Sequence, residues 1–132
     1  MDLKERVSDS LLKGNCCSET VMNMFLEDIG RDPGQNRDLV KSMGAFCGGL
    51  HAGLACGVLC AAVSVLWIAE QDPVKAREEI GPEMMEWFKD RFGAWNCADL
   101  LEGDESWMMT LCPIIMEDTY IKVREMLQDM GY

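Results

Sequence analysis

Histidine and positive charge are both scarce in this sequence. His51 is the only histidine among 132 residues, and 12 lysines and arginines stand against 23 aspartates and glutamates, for a net charge of −11. The deficit is steepest late in the chain: residues 1–66 carry six basic and eight acidic side chains, residues 67–132 six and fifteen. Such a chain repels phosphate backbones and anionic lipid surfaces, so no nucleic acid and no anionic membrane is expected as a partner. No Glu-x-x-His pair accompanies Glu78, Glu79, Glu83 and Glu86, which read as a solvated face instead of a di-iron carboxylate site. No C-x-x-C-H sequence offers covalent haem attachment, and GGLHAG lacks both the Lys-Ser/Thr and the preceding strand of a phosphate-binding loop. The first residues, MDLKERVSDS, are charged from the second position and hold no apolar signal core, which makes a cytoplasmic address the expectation.

Strand alternation, internal repeats and low-complexity tracts are also missing, while helical spacing is present throughout. Leu3, Val7 and Leu11 give a short amphipathic helix stopping near Gly14. Asn15 is placed to cap a second helix, on which Cys17, Val21, Met24 and Phe25 share a face until Gly30. Asp32-Pro33 and Asp72-Pro73 each pair a capping aspartate with a proline whose missing N–H costs nothing in a first turn. The former starts a third helix running to about Phe46. The latter starts a fifth, broken near Gly81-Pro82 and resuming through Met84, Trp87, Phe88 and Phe92. Asn96 caps a short helix over CADLL, residues 103–106 form a solvent loop, and Cys112-Pro113 starts a last helix striped by Met116, Tyr120, Val123, Leu127 and Met130. The fold class is therefore all-α, a compact multi-helix domain over residues 1–132, a length at which about two-thirds of the unfolded surface is buried.

The stretch Gly44–Ala69 bears no formal charge and holds Cys47, Cys56 and Cys60. Glycines interrupt its first half and Glu70 and Asp72 follow it without a basic flank, so no membrane insertion is expected. It reads as a glycine turn feeding Cys56 into a buried central helix over about 54–71. Trp67 and the methionine-rich helical faces make a homodimer the expected assembly. The eleven methionines are read as adaptable core or an oligomer seam before any copper site.

Seven cysteines, an odd number at irregular spacing, point to metal or redox chemistry before a disulfide framework. On the boundaries above, Cys17, Cys56, Cys97 and Cys112 each lie at or within one turn of a helix N-terminus, where free N–H groups and the helix dipole favour a thiolate. Four thiolates from four helices can converge on one metal or cluster; four small buried residues are the plainer alternative. Cys60, four residues after Cys56, either shares a chelating face with it or fills space among Ala61, Ala62 and Val65. His51 is open to metal ligation, proton transfer or a structural hydrogen bond.

The segments GNCCSETV, FCGGLHAGLACG and RFGAWNCADLL, followed by Cys112, resemble the C-GCAxxG-C-C family of small redox-active proteins, from about Gly14 to the last helix. The resemblance implies a set made of Cys17, rather than Cys16, with Cys56, Cys97 and Cys112. Around the central cysteine the chain departs from the family pattern, with Ala55 before it and Cys60-Ala61 after it, and Cys16, Cys47 and Cys60 stand as extra thiols. Four cysteine ligands suit an iron–sulfur cluster serving electron transfer with an unknown redox partner. A metal-free thiol–disulfide protein, with Cys17 and Cys56 as reacting thiols, is the alternative. A structural zinc site in a non-enzymatic module ranks below both, because the chain lacks paired knuckles of two cysteines.

Overall fold

A computed structural model describes residues 2–132. The first helix, α1 (Leu3–Leu12), is opened by a reciprocal cap: Asp2 Oδ1 accepts the Glu5 amide at 2.8 Å and Glu5 Oε2 accepts the Asp2 amide at 3.0 Å. Val7 buries its face against the core, as the four-residue spacing predicts. Helix α2 (Cys17–Asp28) starts from Cys16, whose amide donates to Glu19 Oε1. Asn15, expected as its cap, instead donates from Nδ2 to Ser10 Oγ and ties the α1–α2 turn.

Asp32 caps a 3₁₀ turn, Pro33–Asn36, that leads into α3 (Arg37–Met43), and a second 3₁₀ turn, Gly44–Phe46, follows. The expected helix to Phe46 is thus tightened at both ends. The central helix α4 (Gly57–Ala69) is shorter than the expected span. Its N-cap is Cys56, and its Leu59, Ala61, Ala62, Val65 and Leu66 are 2% exposed or less. It packs against α2 and the last helix, with small residues permitting close approach. A Cβ on Gly57 would lie 2.7 Å from the Phe46 carbonyl oxygen and 3.1 Å from Ser18 Cβ.

The expected break at Gly81-Pro82 is absent. Helix α5 (Pro73–Lys75), a π turn over Ala76–Ile80 and α6 (Gly81–Phe92) run on as one rod. The π turn explains this, because the Gly81 amide reaches the Ala76 carbonyl five residues back and the ladder is already re-registered where Pro82 has no N–H to offer. Gly93, at φ 88°, ends the rod in the left-handed region.

After the short α7 (Cys97–Leu100) and a 3₁₀ turn, Glu105–Trp107, the last helix α8 runs Met108–Asp129. Cys112-Pro113 therefore lies inside a helix and does not start one. The carbonyl that Pro113 cannot bond belongs to Met109, a residue 84% exposed near the start of the helix, where a missing bond costs least. The α8 stripe packs as predicted, with the Tyr120 ring stacked on Phe25 at 5.9 Å between centroids. Among the described residues there is no strand beyond one isolated antiparallel bridge, Ala55 to Asn96, and no helix is long and apolar enough to cross a membrane.

Candidate functional site

The glycine-rich entry to α4 is a left-handed turn. Gly48, Gly49, Leu50 and His51 have φ of 61°, 64°, 61° and 57°, four successive residues in a region that costs a side-chain-bearing residue roughly 1–2 kcal/mol. Glycine is obligatory at two places where the turn folds back. A Cβ on Gly49 would overlap the Leu54 backbone, and one on Gly53 would meet Ala98 Cβ at 2.9 Å. The reversal delivers Leu54–Cys56 alongside Trp95–Cys97. There the Cys56 amide donates to the Trp95 carbonyl at 2.8 Å and the Cys97 amide to the Leu54 carbonyl at 2.7 Å. Residues flanking the bridged pair point to the same side, so Cys56 and Cys97 share a face.

Cys17 reaches that face as the first residue of α2, and Cys112 from the second turn of α8. All four sulfur-bearing side chains line one pocket of about 210 Å³, walled mostly by Leu11, Val58, Met108, Met109 and Ile115. Burial dominates their chemistry. It pushes the Cys56 thiol up to about 12, with the charges of Cys17 and Cys112 adding to the rise against opposing backbone hydrogen bonds. Cys112 is likewise pushed up to about 12 by burial, then by Cys17 and Cys97. Cys17 is raised by burial, with Cys97 and Glu19 contributing, and Cys97 by burial and then Glu105. The helix-end thiolates expected from the sequence are therefore corrected: desolvation outweighs the helix N–H groups, and the free thiols are protonated at neutral pH.

A single zinc with 2.3 Å bonds needs four sulfurs about 3.8 Å from one another. Among the described residues, the only three such ligand atoms within 4.8 Å of one another belong to Cys16, Glu19 and Cys47. No three of Cys17, Cys56, Cys97 and Cys112 bring their sulfurs within that distance of one another.

Cys16 and Cys47 form a disulfide, with Cα atoms 6.3 Å apart, and both also line the pocket. Ser18, fully buried, donates its hydroxyl to the Met43 carbonyl at 2.6 Å, and its Oγ lies 3.3 Å from Cys16 Sγ and 3.2 Å from Cys47 Sγ. The sequence left these two cysteines as extra thiols, and nothing in a separation of 31 residues marks them as a pair. The odd cysteine count beyond the set of four was the only available signal.

Two other candidates stand apart. Cys60 lies on α4 outside the pocket, half-buried, its thiol raised by burial. His51 donates from Nε2 to the Gly44 carbonyl at 3.0 Å and lines a neighbouring cleft of about 480 Å³ that shares only Gly48, Cys97 and Met108 with the cysteine pocket. Neither residue joins the four cysteines.

A protein-family model described as "Putative redox-active protein (C_GCAxxG_C_C)" matches residues 15–126. No curated protein and no solved structure matches the chain.

Proposed function

The chain belongs to the C_GCAxxG_C_C family, and on that premise we propose that it is an electron-transfer protein in which Cys17, Cys56, Cys97 and Cys112 ligate an iron–sulfur cluster. One observation carries this reading: four thiols from four separate elements line a single apolar pocket in which Cys17, Cys97 and Cys112 each raise the proton affinity of another of the four. Four thiolates cannot coexist there alone, and a cationic core is what would let all four deprotonate together. When bound, such a cluster supplies reversible one-electron chemistry.

The chain's own residues set the conditions for that chemistry. Leu11, Val58 and Ile115 exclude water around the sulfurs, and Met108 and Met109 close the rim. The bridge from Leu54 to Cys97 fixes two of the ligands relative to each other before any metal arrives. The same burial argues against metal-free exchange among these four, because attack requires a thiolate and protonated thiols supply few at neutral pH.

Anaerobic purification with iron and acid-labile sulfide analysis and an absorption spectrum tests the reading. Iron and sulfide in matching amounts, with broad visible absorption that disappears in Cys56→Ser and Cys112→Ser, are expected. Colourless protein carrying stoichiometric zinc, or metal-free protein with four titratable pocket thiols after reconstitution, would overturn it.

A further inference from the structure

The Cys16–Cys47 disulfide opens onto the same pocket as the other four cysteines, yet lies outside the set that the family pattern defines. Its surroundings are built for the reduced state as well as the oxidised one. In a dithiol, two S–H groups appear where none existed, and each buried one needs an acceptor. Ser18 Oγ already faces both sulfurs, at 3.3 and 3.2 Å, with its hydrogen committed to the Met43 carbonyl at 2.6 Å. Its lone pairs are therefore free to accept from both thiols. The Glu19 carboxylate accepts the Cys16 amide and has an oxygen within 4.8 Å of both sulfurs. Beside a purely structural disulfide, a buried hydroxyl directed at both sulfurs would gain nothing in this way.

We propose that Cys16–Cys47 is a reversible two-electron redox couple that reacts with an external dithiol. Exposure fixes the direction of attack. Cys16 is partly exposed and Cys47 buried at 8% exposure, so the incoming thiolate bonds to Cys16 Sγ and the Cys16–Cys47 bond breaks with Cys47 as the leaving sulfur. The Ser18 hydroxyl can turn from Met43 to donate to the departing Cys47 sulfur until a proton reaches it. The second thiol of the dithiol then attacks the mixed disulfide and releases Cys16. Two electrons and two protons pass from the dithiol, which leaves as a disulfide, to Cys16 and Cys47, which become thiols. The step does not depend on what Cys17, Cys56, Cys97 and Cys112 hold. It places a two-electron centre on the wall of a pocket proposed for one-electron chemistry.

The full-length protein is incubated anaerobically with reduced thioredoxin, as a Cys-x-x-Cys protein dithiol, or with dithiothreitol, as a small one. Samples are quenched in acid and alkylated, and the masses of the peptides bearing Cys16 and Cys47 are read. Both thiols are expected to appear together, with more than half of the pair reduced by a few equivalents of dithiol and fully re-formed when oxidised dithiol is added. A faster reaction in one arm identifies the source of the dithiol. Ser18→Ala is expected to lower the equilibrium constant for reduction about tenfold, the loss of two modest hydrogen bonds from the dithiol state. A pair that stays oxidised under a tenfold excess of both reagents is a structural disulfide and overturns the proposal. So does a Ser18→Ala equilibrium equal to that of the natural chain. Because fragment masses assign the label on Cys16 and Cys47 separately from that on Cys17, Cys56 and Cys60 of the same peptides, absence of iron leaves the outcome untouched.

Discussion

The amide of Cys97 donates to the carbonyl of Leu54 at 2.7 Å, tying the start of α7 to the approach of α4. That bond depends on Gly53, at φ 74°, where a methyl group would lie 2.9 Å from Ala98 Cβ. Gly53→Ala is expected to cost about 2–4 kcal/mol, from the left-handed backbone and the overpacking together. Urea unfolding checks this, with Gly93→Ala as the comparison. Gly93 is also left-handed, at φ 88°, but has open space around it, so its loss is expected to be the smaller. If both variants unfold at the same midpoint, the close approach to Ala98 contributes nothing.

The exclusion of Cys60 from the pocket gives a simple contrast. Cys60→Ala removes one half-buried sulfur from α4 and is expected to keep the proposed cluster at a cost below about 1 kcal/mol. Cys97→Ala is expected to lose it. Iron content per chain after identical reconstitution distinguishes the two.

Proton release should accompany metal loading. Each ligand must give up its proton, and Cys56 and Cys112, pushed up to about 12, hold theirs through the neutral range. About four protons are expected to leave per site at pH 8, measurable by calorimetry in buffers of different ionisation enthalpy. The sign for stability follows from the same shifts. The folded thiols are raised above the ordinary 9.0, so their contribution in the metal-free, reduced protein is fully present below pH 9 and lost as pH rises from 9 towards 12. Thermal unfolding temperatures across that range should fall, and should fall less steeply in the loaded protein.

Arg124 holds the far end of the bundle. Its Nη1 lies 3.0 Å from Asp28 Oδ1, whose side chain is 12% exposed and whose Oδ2 is buried without a partner. Arg124→Met leaves a nearly buried carboxylate unpaired and is expected to cost about 1–3 kcal/mol, below the range of fully buried pairs because Arg124 itself is half in water. Adding Asp28→Asn should recover part of that loss, which a double-mutant cycle of unfolding midpoints would reveal.

Much of the bundle is legible in the sequence because its apolar stripes are regular: Val7, Val21, Phe25, Val123 and Leu127 are all buried where helical spacing puts them. Prolines were less dependable. Pro33 and Pro73 start helical turns as their aspartates indicate, whereas Pro82 follows a π turn and Pro113 sits in the second turn of a helix, one turn after the exposed Met109. The grouping of Cys17, Cys56, Cys97 and Cys112 was visible as order and motif, and the pocket they line is consistent with it. Their protonation was not visible, since helix ends can be read from local sequence but desolvation depends on distant segments. The Cys16–Cys47 bond was hidden for the same reason: it joins segments 31 residues apart, whose neighbours Ser18 and Phe46 both close on Gly57.

The four pocket cysteines are spread from the start of α2 to the second turn of α8, and this has a consequence for how the protein matures. Chains emerge from the ribosome N-terminus first, so Cys17, Cys56 and Cys97 are all exposed before Cys112 is synthesised. Closing the pocket waits on the docking of α8, the slowest kind of contact to form because it spans the longest loop. Completion of the pocket is thus a late event, following synthesis, and the incomplete pocket is the interval in which stray oxidation of Cys17 or Cys97 would compete with correct assembly.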